Sequence, residues 1–356
     1  MITFEKVEKR YPDGTLAVES LSLELPAGQT TVFVGPSGCG KTTSLRMINR
    51  MIEPTSGKIT IDGQDVTTLK KAELRRGIGY VIQNAGLFPH RTVLQNIMTV
   101  PKLNGVPTAQ AKARAYELLD TVGLPREFAT RFPTQLSGGQ QQRVGVARAL
   151  AASPKVLLMD EPFSALDPVV RHELQEEFAR LGPELGTTIV FVTHDIDEAV
   201  RLGDRIAVFE KGGKLAQFAT PEELLSSPAN EFVAEFVGKD RGYRALSFKQ
   251  VGTVVHPVAT IQLGDSTAEL PVAGAAVVDT SHRFVGWARR GEQADRANQL
   301  EQRATVRQSD SMRLATDAVL TSHDGQAIVV DDDGRLLGSI DLALLAPRLH
   351  AQGSRA

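Results

Sequence analysis

Short apolar runs recur along the chain, and each ends in a polar or glycine-rich cluster. Residues 30–34 (TTVFV) lead into Gly35, and residues 78–83 (IGYVIQ) end on Gln83. Residues 156–161 (VLLMDE) end on Asp160 and Glu161, and residues 187–193 (TTIVFVT) deliver His194 and Asp195. Such continuous apolar runs predict strands buried on both faces, as in a parallel sheet. Helix-like stretches lie between them, at residues 42–50, 109–122, 137–151 and 168–181. Strands alternating with helices predict a mostly parallel α/β sheet, whose polar strand ends share one edge. Residues 2–7 and 17–25 alternate instead, which predicts an antiparallel edge, and residues 57–63 read as a strand entering a turn. Residues 84–150 are mostly helical in pattern, with Met98, Tyr116, Leu118, Leu119 and Val122 as core candidates. The turn at residues 9–14 carries Tyr11, which either stacks on a nucleotide base or packs against the edge.

The stretch Gly35-Pro36-Ser37-Gly38-Cys39-Gly40-Lys41-Thr42-Thr43 fits the phosphate-loop pattern G-x-x-x-x-G-K-[ST]. The predicted strand before it and the helix after it supply the required context. Glycines let backbone N–H groups approach a polyphosphate, and a helix N-terminus adds partial positive charge. Lys41 would reach the terminal phosphates and Thr42 would hold Mg²⁺. Downstream, Leu136-Ser137-Gly138-Gly139-Gln140 has the S-x-x-Q spacing of a capping box. It reads either as a well-capped helix or as a second phosphate site made of a hydroxyl, two glycine backbones and a helix end. Asp160 can hold Mg²⁺, and Glu161 can accept a proton from an attacking water. Residues 164–167 form a turn ending on Asp167.

Bulk numbers bound this picture. The 356 residues suffice for two or three domains, with 42% hydrophobic and 23% charged residues, ordinary for a globular protein. A net charge of -2 gives no whole-chain basic field for nucleic acid. The single cysteine, Cys39, excludes an internal disulfide and fits a reducing compartment. It reads either as a redox-sensitive nucleotide site or as a small residue that fits the loop. No apolar stretch approaches the ~20 residues of a membrane span, and the start lacks a signal-peptide pattern. Work at a membrane would need a partner that spans it.

Together, in this order, the phosphate loop Gly35 to Thr42, Gln83, the Leu136 to Gln140 signature, Asp160-Glu161, the Ser164 to Asp167 turn and His194 resemble the nucleotide-binding subunit of ATP-binding cassette (ABC) transporters. The resemblance covers residues 1–238 and implies an ABC-type ATPase fold: a mostly parallel sheet, an antiparallel edge and a helical subdomain. It implies adenine stacking on Tyr11, and phosphate and Mg²⁺ contacts from Lys41, Thr42 and Thr43. Gln83 would sense Mg²⁺ and water and couple to the membrane partner. Ser137, Gly138, Gly139 and Gln140 would contact the γ-phosphate held by an opposite subunit. Glu161 would be the catalytic base, His194 the γ-phosphate sensor and Asp167 part of the D-loop. One phosphate loop and one signature per chain imply a head-to-tail homodimer with two ATP sites. Residues 46–57, 83–103 and 230–238 are similar to the glycine betaine/choline importer branch, which implies a permease, a periplasmic or extracellular substrate-binding protein and a place on the cytoplasmic face of the membrane. The same machine for another solute, such as an amino acid, is the nearest alternative. A soluble ABC protein acting on ribosomes or DNA, and a nucleotide sensor with a dead ATPase, are alternatives of another class. The single cassette without a heptad run argues against the first, and Glu161 with His194 against the second.

Residues 239–245 read as a charged connector and residues 347–356 as a disordered tail. Between them runs a weak repeat at an offset of 52: Val277-Val278-Asp279 matches Val329-Val330-Asp331, Arg283 matches Arg335, and Gly286 matches Gly338. Residues 246–346 resemble a tandem pair of CBS modules, a smaller α+β domain that implies regulation or dimerisation. The nucleotide-binding version carries Ser/Thr and Asp where this chain has Asp341 and Leu344, and Arg289 and Glu292 in the first copy. An Asp there repels phosphate, so adenosine binding in the usual mode is not expected. A response to ionic strength and a purely structural extension are the two readings.

Overall fold

A computed structural model describes residues 1–350, apart from Asn84, Leu185, Thr253, Val254, Val272, Ala273 and residues 293–299. The expected tail at residues 347–356 therefore lies largely outside the described residues. Two units are resolved, one of residues 1–224 and 228–236, the other of residues 225–227 and those from Val237 on.

The first unit holds two sheets. Strands β1 (Ile2–Arg10), β2 (Leu16–Leu25), β4 (Ser56–Ile61) and β5 (Gln64–Asp65) form an antiparallel sheet in the order β2-β1-β4-β5. Strands β3 (Thr30–Val34), β6 (Ile78–Val81), β7 (Val156–Asp160), β8 (Thr188–Val192), β9 (Arg205–Glu210) and β10 (Lys214–Ala219) form the second, in the order β10-β9-β3-β8-β7-β6. Within it only β9–β10 is antiparallel. β3, β7 and β8 are buried along their whole lengths, as their unbroken apolar runs require. β1 runs three residues beyond the expected Val7, because a register shift and a positive φ at Lys6 interrupt its alternation without ending the pairing.

Helix α1 (Lys41–Ile48) buries Leu45, Met47 and Ile48 in one core with residues of both sheets. Phe33 meets Phe4 and Phe209 edge-on, with ring centroids 6.5 and 5.1 Å apart. Such contacts are each worth about 0.5–1.5 kcal/mol beyond their buried area. They seat the loop between β3 and α1 on a rigid base. The remaining helices of this unit are α2 (Lys71–Arg76), α3 (Val93–Ile97), α4 (Thr99–Leu103), α5 (Thr108–Thr121), α6 (Gly138–Leu150), α7 (Pro168–Glu184), α8 (Ile196–Leu202), α9 (Pro221–Ser226), which runs into the second unit, and α10 (Glu231–Val237) at its end. α5 buries Ala111, Ala115, Leu118 and Leu119, a stripe at helical spacing. Tyr116 is only half-buried, since the Lys112 and Arg126 cations flank its ring at 6.0 Å.

The second unit begins with α11 (Arg241–Ala245), a helix where a connector was expected. Two three-stranded sheets follow: β11 (Thr260–Gln262), β12 (Ala275–Val278) and β13 (Phe284–Ala288), then β14 (Thr305–Arg307), β15 (Gln326–Val330) and β16 (Leu336–Asp341). Each has one parallel and one antiparallel pairing, with a bulge at the same place, after Val277 and after Val329. Asp279 and Asp331 cap the two hairpin turns identically, accepting from the amides of Ser281 and Arg283 and of Asp333 and Arg335. The hairpins also exchange backbone bonds: Phe284 N–H donates to Gly334 O (3.1 Å) and Leu336 N–H to His282 O (3.0 Å). These partners are interchanged by the same offset of 52 residues, so the sequence repeat is a local pseudo-two-fold. α12 (Met312–Thr321) and α13 (Leu342–His350) complete the second copy.

Candidate active site at the strand-end edge

Parallel pairing aligns Phe33 with Val192, Val192 with Asp160, and Met159 with Val81. The carboxyl ends of β3, β8, β7 and β6 are therefore neighbours in that order. Along one edge they deliver the glycine loop, Thr193-His194, Asp160-Glu161 and Ile82-Gln83. This is the edge at which open α/β sheets bind ligands.

In the loop, Gly35, Gly38 and Gly40 have φ of 151°, 76° and 98°. A Cβ on Gly35 would collide with the Phe209 carbonyl oxygen, and one on Gly40 with that of Ala17. Gly40 is the N-cap of α1 and gives it no side-chain cap, so the first amides of the helix keep their donors for another acceptor. Lys41 is buried, its ammonium donating to the carbonyls of Gly35 (2.7 Å) and Pro36 (2.9 Å), and it lies 3.7 Å from Cys39 Sγ. Burial pushes the Cys39 thiol up against the opposing pull of Lys41. A thiol held protonated is a poor nucleophile, so Cys39 fits the reading of a small packed residue.

Asp160 is the best-partnered carboxylate of the edge. Thr42 Oγ1 donates to its Oδ1 at 2.8 Å, while Arg46 Nη2 (3.1 Å) and Tyr80 OH (3.3 Å) hold its Oδ2. Arg46 Nε also donates to Tyr80 OH at 3.3 Å. Burial, then the adjacent Asp160 charge, raises the Tyr80 phenol and keeps it a donor. Sequence reasoning missed Arg46 and Tyr80. The one available signal was the four-residue spacing that puts Arg46 on the helix face of Thr42. Among the described residues no cluster of three or more His, Cys, Asp or Glu could hold a metal alone. One carboxylate and one hydroxyl, both oxygen donors, instead suit Mg²⁺, which takes few protein ligands and completes its shell with water and phosphate.

Glu161 has a φ of 45°, in the left-handed region, and its amide donates to Val192 O (3.0 Å), prolonging the sheet. Ser164 Oγ donates to Glu161 O at 2.9 Å, closing the turn. Together these aim the carboxylate at the next strand, where Oε2 lies 3.3 Å from His194 Nδ1. Gln83 is exposed, just beyond β6, on a segment pinned from behind. Arg148 donates to Ala85 O and Gly86 O (both 2.7 Å), and the buried Asn96 bonds Phe88, Arg91 and Thr92. The segment's Asn84 lies outside the described residues.

The signature lies at the start of α6. Ser137 caps it, accepting from the Gln140 amide (3.3 Å), while Gln140 Oε1 accepts from the Ser137 amide (3.0 Å). The capping-box reading holds, and it engages the Gln140 side chain within its own helix; the Ser137 hydroxyl proton stays available for an outside acceptor. A Cβ on Gly139 would collide with Val170 Cγ1, so this glycine lets α6 close on α7. Asp167 Oδ1 caps α7 through the Val170 amide (3.1 Å). No hydrogen bond among the described residues joins residues 137–140 to residues 35–43. Tyr11 stands in the turn after β1, with the Lys9 ammonium 5.2 Å from its ring centroid.

Residues 18–164 match the family model described as ABC transporter. The glycine betaine/carnitine/choline transport ATP-binding protein of Bacillus subtilis is 56% identical over 68% of this chain, and the match spans 63% of that relative's length. The osmoprotectant import ATP-binding protein of Salmonella typhimurium is 42% identical over 100% of this chain and 98% of its own. The glycine betaine/proline betaine transport ATP-binding protein of Escherichia coli is 37% identical over 95% and 89%. Among solved structures, an ABC transporter component from Clostridium perfringens superposes with a TM-score of 0.59 at 30% identity, over 64% of this chain and 90% of that one. The dimeric, post-hydrolysis state of an ATP-binding cassette bound to ADP and Pi gives 0.55 at 35% identity, over 62% and 99%.

Proposed function

Because the chain belongs to the ABC transporter family, we propose that it is the ATP-hydrolysing subunit of an importer for quaternary amines and related osmoprotectants, glycine betaine and choline among them. The observation that carries the ATPase reading is the convergence on one sheet edge of the Lys41 loop, the Thr42–Asp160 pair and the Glu161–His194 pair. The solute class is supported by residues 83–103 and by the betaine, choline and osmoprotectant transport proteins among the relatives.

In this reading the loop amides and Lys41 bind the β- and γ-phosphates, and Tyr11 stacks on the adenine. Thr42, Asp160 and Gln83 would hold Mg²⁺, which when bound would offset charge on the transferred phosphoryl group. Glu161 accepts a proton from the attacking water as its oxygen bonds phosphorus and the bond to ADP breaks. His194 holds a γ-phosphate oxygen and keeps it in line. Ser137, Gly138 and the α6 N-terminus need a phosphate from outside their own loop, which a second copy of the chain supplies across a two-fold. ATP then joins the two copies, and loss of the γ-phosphate releases them. Among the described residues no helix is long and apolar enough to cross a membrane. The chain works from the cytoplasmic face through permease subunits, fed by an external substrate-binding protein.

The second unit is, in the same proposal, a regulatory module of paired CBS-like hairpins, supported by the pseudo-two-fold. Its Asp341 caps α13 through the Leu344 amide (3.0 Å) and faces His256 at 3.6 Å, an arrangement that disfavours a phosphate there.

Glu161→Gln tests the ATPase reading. The variant should bind ATP, stop turning over and accumulate as an ATP-bound dimer in light scattering. Near-normal turnover would remove Glu161 from the role of base.

A further inference from the structure

A polar cluster of Glu198, Gln175 and Thr193 lies buried behind the strand-end edge. Glu198, Gln175 and Thr193 are 6%, 7% and 2% exposed. Thr193 Oγ1 donates to Glu198 Oε2 at 2.6 Å, and Gln175 Nε2 donates to Oε1 at 2.8 Å. Thr193 Oγ1 in turn accepts from the Asp195 amide at 3.0 Å, so one hydroxyl ties both flanks of His194. The Thr193 amide donates to Phe33 O (3.1 Å), which continues the β3–β8 pairing.

Three elements meet in this cluster. Thr193 directly follows β8 and precedes His194, Glu198 lies in the first turn of α8, and Gln175 belongs to α7. The first turn of α7 carries Val170, which Gly139 of the signature abuts and whose amide Asp167 caps. A buried carboxylate is costly unless its oxygens are bonded, and here each oxygen has a donor from a different element. An apolar residue would fill the same space with less specification of how the elements sit.

We propose that Glu198 is a positioning residue, which ties the approach of His194 to the placement of α7 and thereby to the signature and D-loop side of the subunit. It rests on the reading of His194 as the γ-phosphate sensor. Glu198 itself reaches no nucleotide in this account. It holds Thr193, and Thr193 holds the backbone on either side of the histidine. A shift of α7 at Gln175 then moves the histidine rather than being absorbed between them.

The test is a double-mutant cycle on the full chain, read by single-turnover ATP hydrolysis and by binding of a fluorescent ATP analogue. Glu198→Ala should slow hydrolysis at least about 10-fold while leaving analogue affinity within about two-fold, since the lost effect is orientation at the reacting phosphate. Glu198→Gln should restore the rate to within about three-fold, because flipping the Gln175 amide lets a glutamine keep both bonds. Combining Glu198→Ala with His194→Ala should cost no more than His194→Ala alone. Additive losses, a Glu198→Gln variant as slow as Glu198→Ala, or a parallel fall in affinity would each overturn the proposal. If Glu198→Ala does not fold, Thr193→Val keeps the side-chain volume, removes the hydroxyl and enters the same cycle. A His194→Ala chain that hydrolyses normally would instead remove the sensor reading, and with it the residue to be positioned.

Discussion

Asn96 offers a test of how the segment after Gln83 is held. It is fully buried, its Oδ1 accepts from the Phe88 amide at 2.8 Å, and its Nδ2 lies 3.2, 3.1 and 3.0 Å from the carbonyls of Phe88, Arg91 and Thr92. Substitution Asn96→Ala does not orphan all four groups. Phe88 O keeps the Arg91 amide and Thr92 O keeps the Asn96 amide. The Phe88 N–H and the Arg91 carbonyl lose their partner. At about 1–3 kcal/mol for each unsatisfied group, and with water reaching part of the segment, the expected loss is about 2–4 kcal/mol. For a unit of this size that lowers the melting temperature by roughly 5–15 °C. Asn96→Asp is the discriminating control. It keeps the acceptor for Phe88 but turns a charged oxygen toward three carbonyls, so it should be less stable than Asn96→Ala. Mg²⁺-free analogue affinity should stay unchanged in both variants, because the hydrogen bonds of Asn96 reach none of residues 35–43. Differential scanning calorimetry, with hydrogen exchange across residues 82–92, checks both statements. Loss of less than about 0.5 kcal/mol in Asn96→Ala, or greater stability in Asn96→Asp, would refute the pinning argument.

Other predictions concern the site itself. Gly40→Ala places a β-carbon against the Ala17 carbonyl at a φ of 98°, so it should weaken ATP-analogue binding by at least about 10-fold, and unchanged affinity would contradict the loop geometry. Tyr80→Phe frees one contact on Asp160 Oδ2 and should lower the Mg²⁺-dependent part of analogue binding several-fold, roughly the worth of one second-layer bond, while Mg²⁺-free binding holds. Burial raises the Glu198 carboxyl, with Thr193 and Gln175 bonding against it. Its folded value therefore lies above its unfolded one: the contribution is complete below the ordinary carboxylate range and is lost as pH rises through the raised value. Wild-type stability minus that of Glu198→Gln should fall with rising pH across weakly acidic conditions, and a difference that grows with pH would reverse the sign.

The strands of this strand-end edge were legible because burial on both faces leaves an unbroken apolar run, and a polar residue at its end has only the edge to occupy. The phosphate loop was legible because close backbone approaches force two of its glycines, Gly35 and Gly40, and a positive φ favours the third, Gly38. What stayed hidden sits inside regular elements. Arg46 resembles an ordinary helix-surface cation, Tyr80 an ordinary strand aromatic, and Glu198 an acidic first-turn residue. Their roles come from tertiary placement: the strand order sets Asp160 against Thr42, and the packing of α7 on α8 sets Gln175 against Glu198. The connector expected at residues 239–245 contains a short helix, α11, that its charges and Gly242 obscured, and its Ala245 is buried. The repeat at residues 277–286 and 329–338 survived translation into structure because both copies need the same Asp-capped turn.

The most direct measurement is uptake of radiolabelled glycine betaine into membrane vesicles that contain this chain with its co-purified permease, wild type beside Glu161→Gln. ATP-dependent uptake is expected, abolished in the variant while it still binds ATP. Normal ATPase activity without glycine betaine or choline uptake would contradict the solute assignment and favour an amino-acid importer. Undiminished uptake with Glu161→Gln would contradict the proposal that hydrolysis at this edge drives transport.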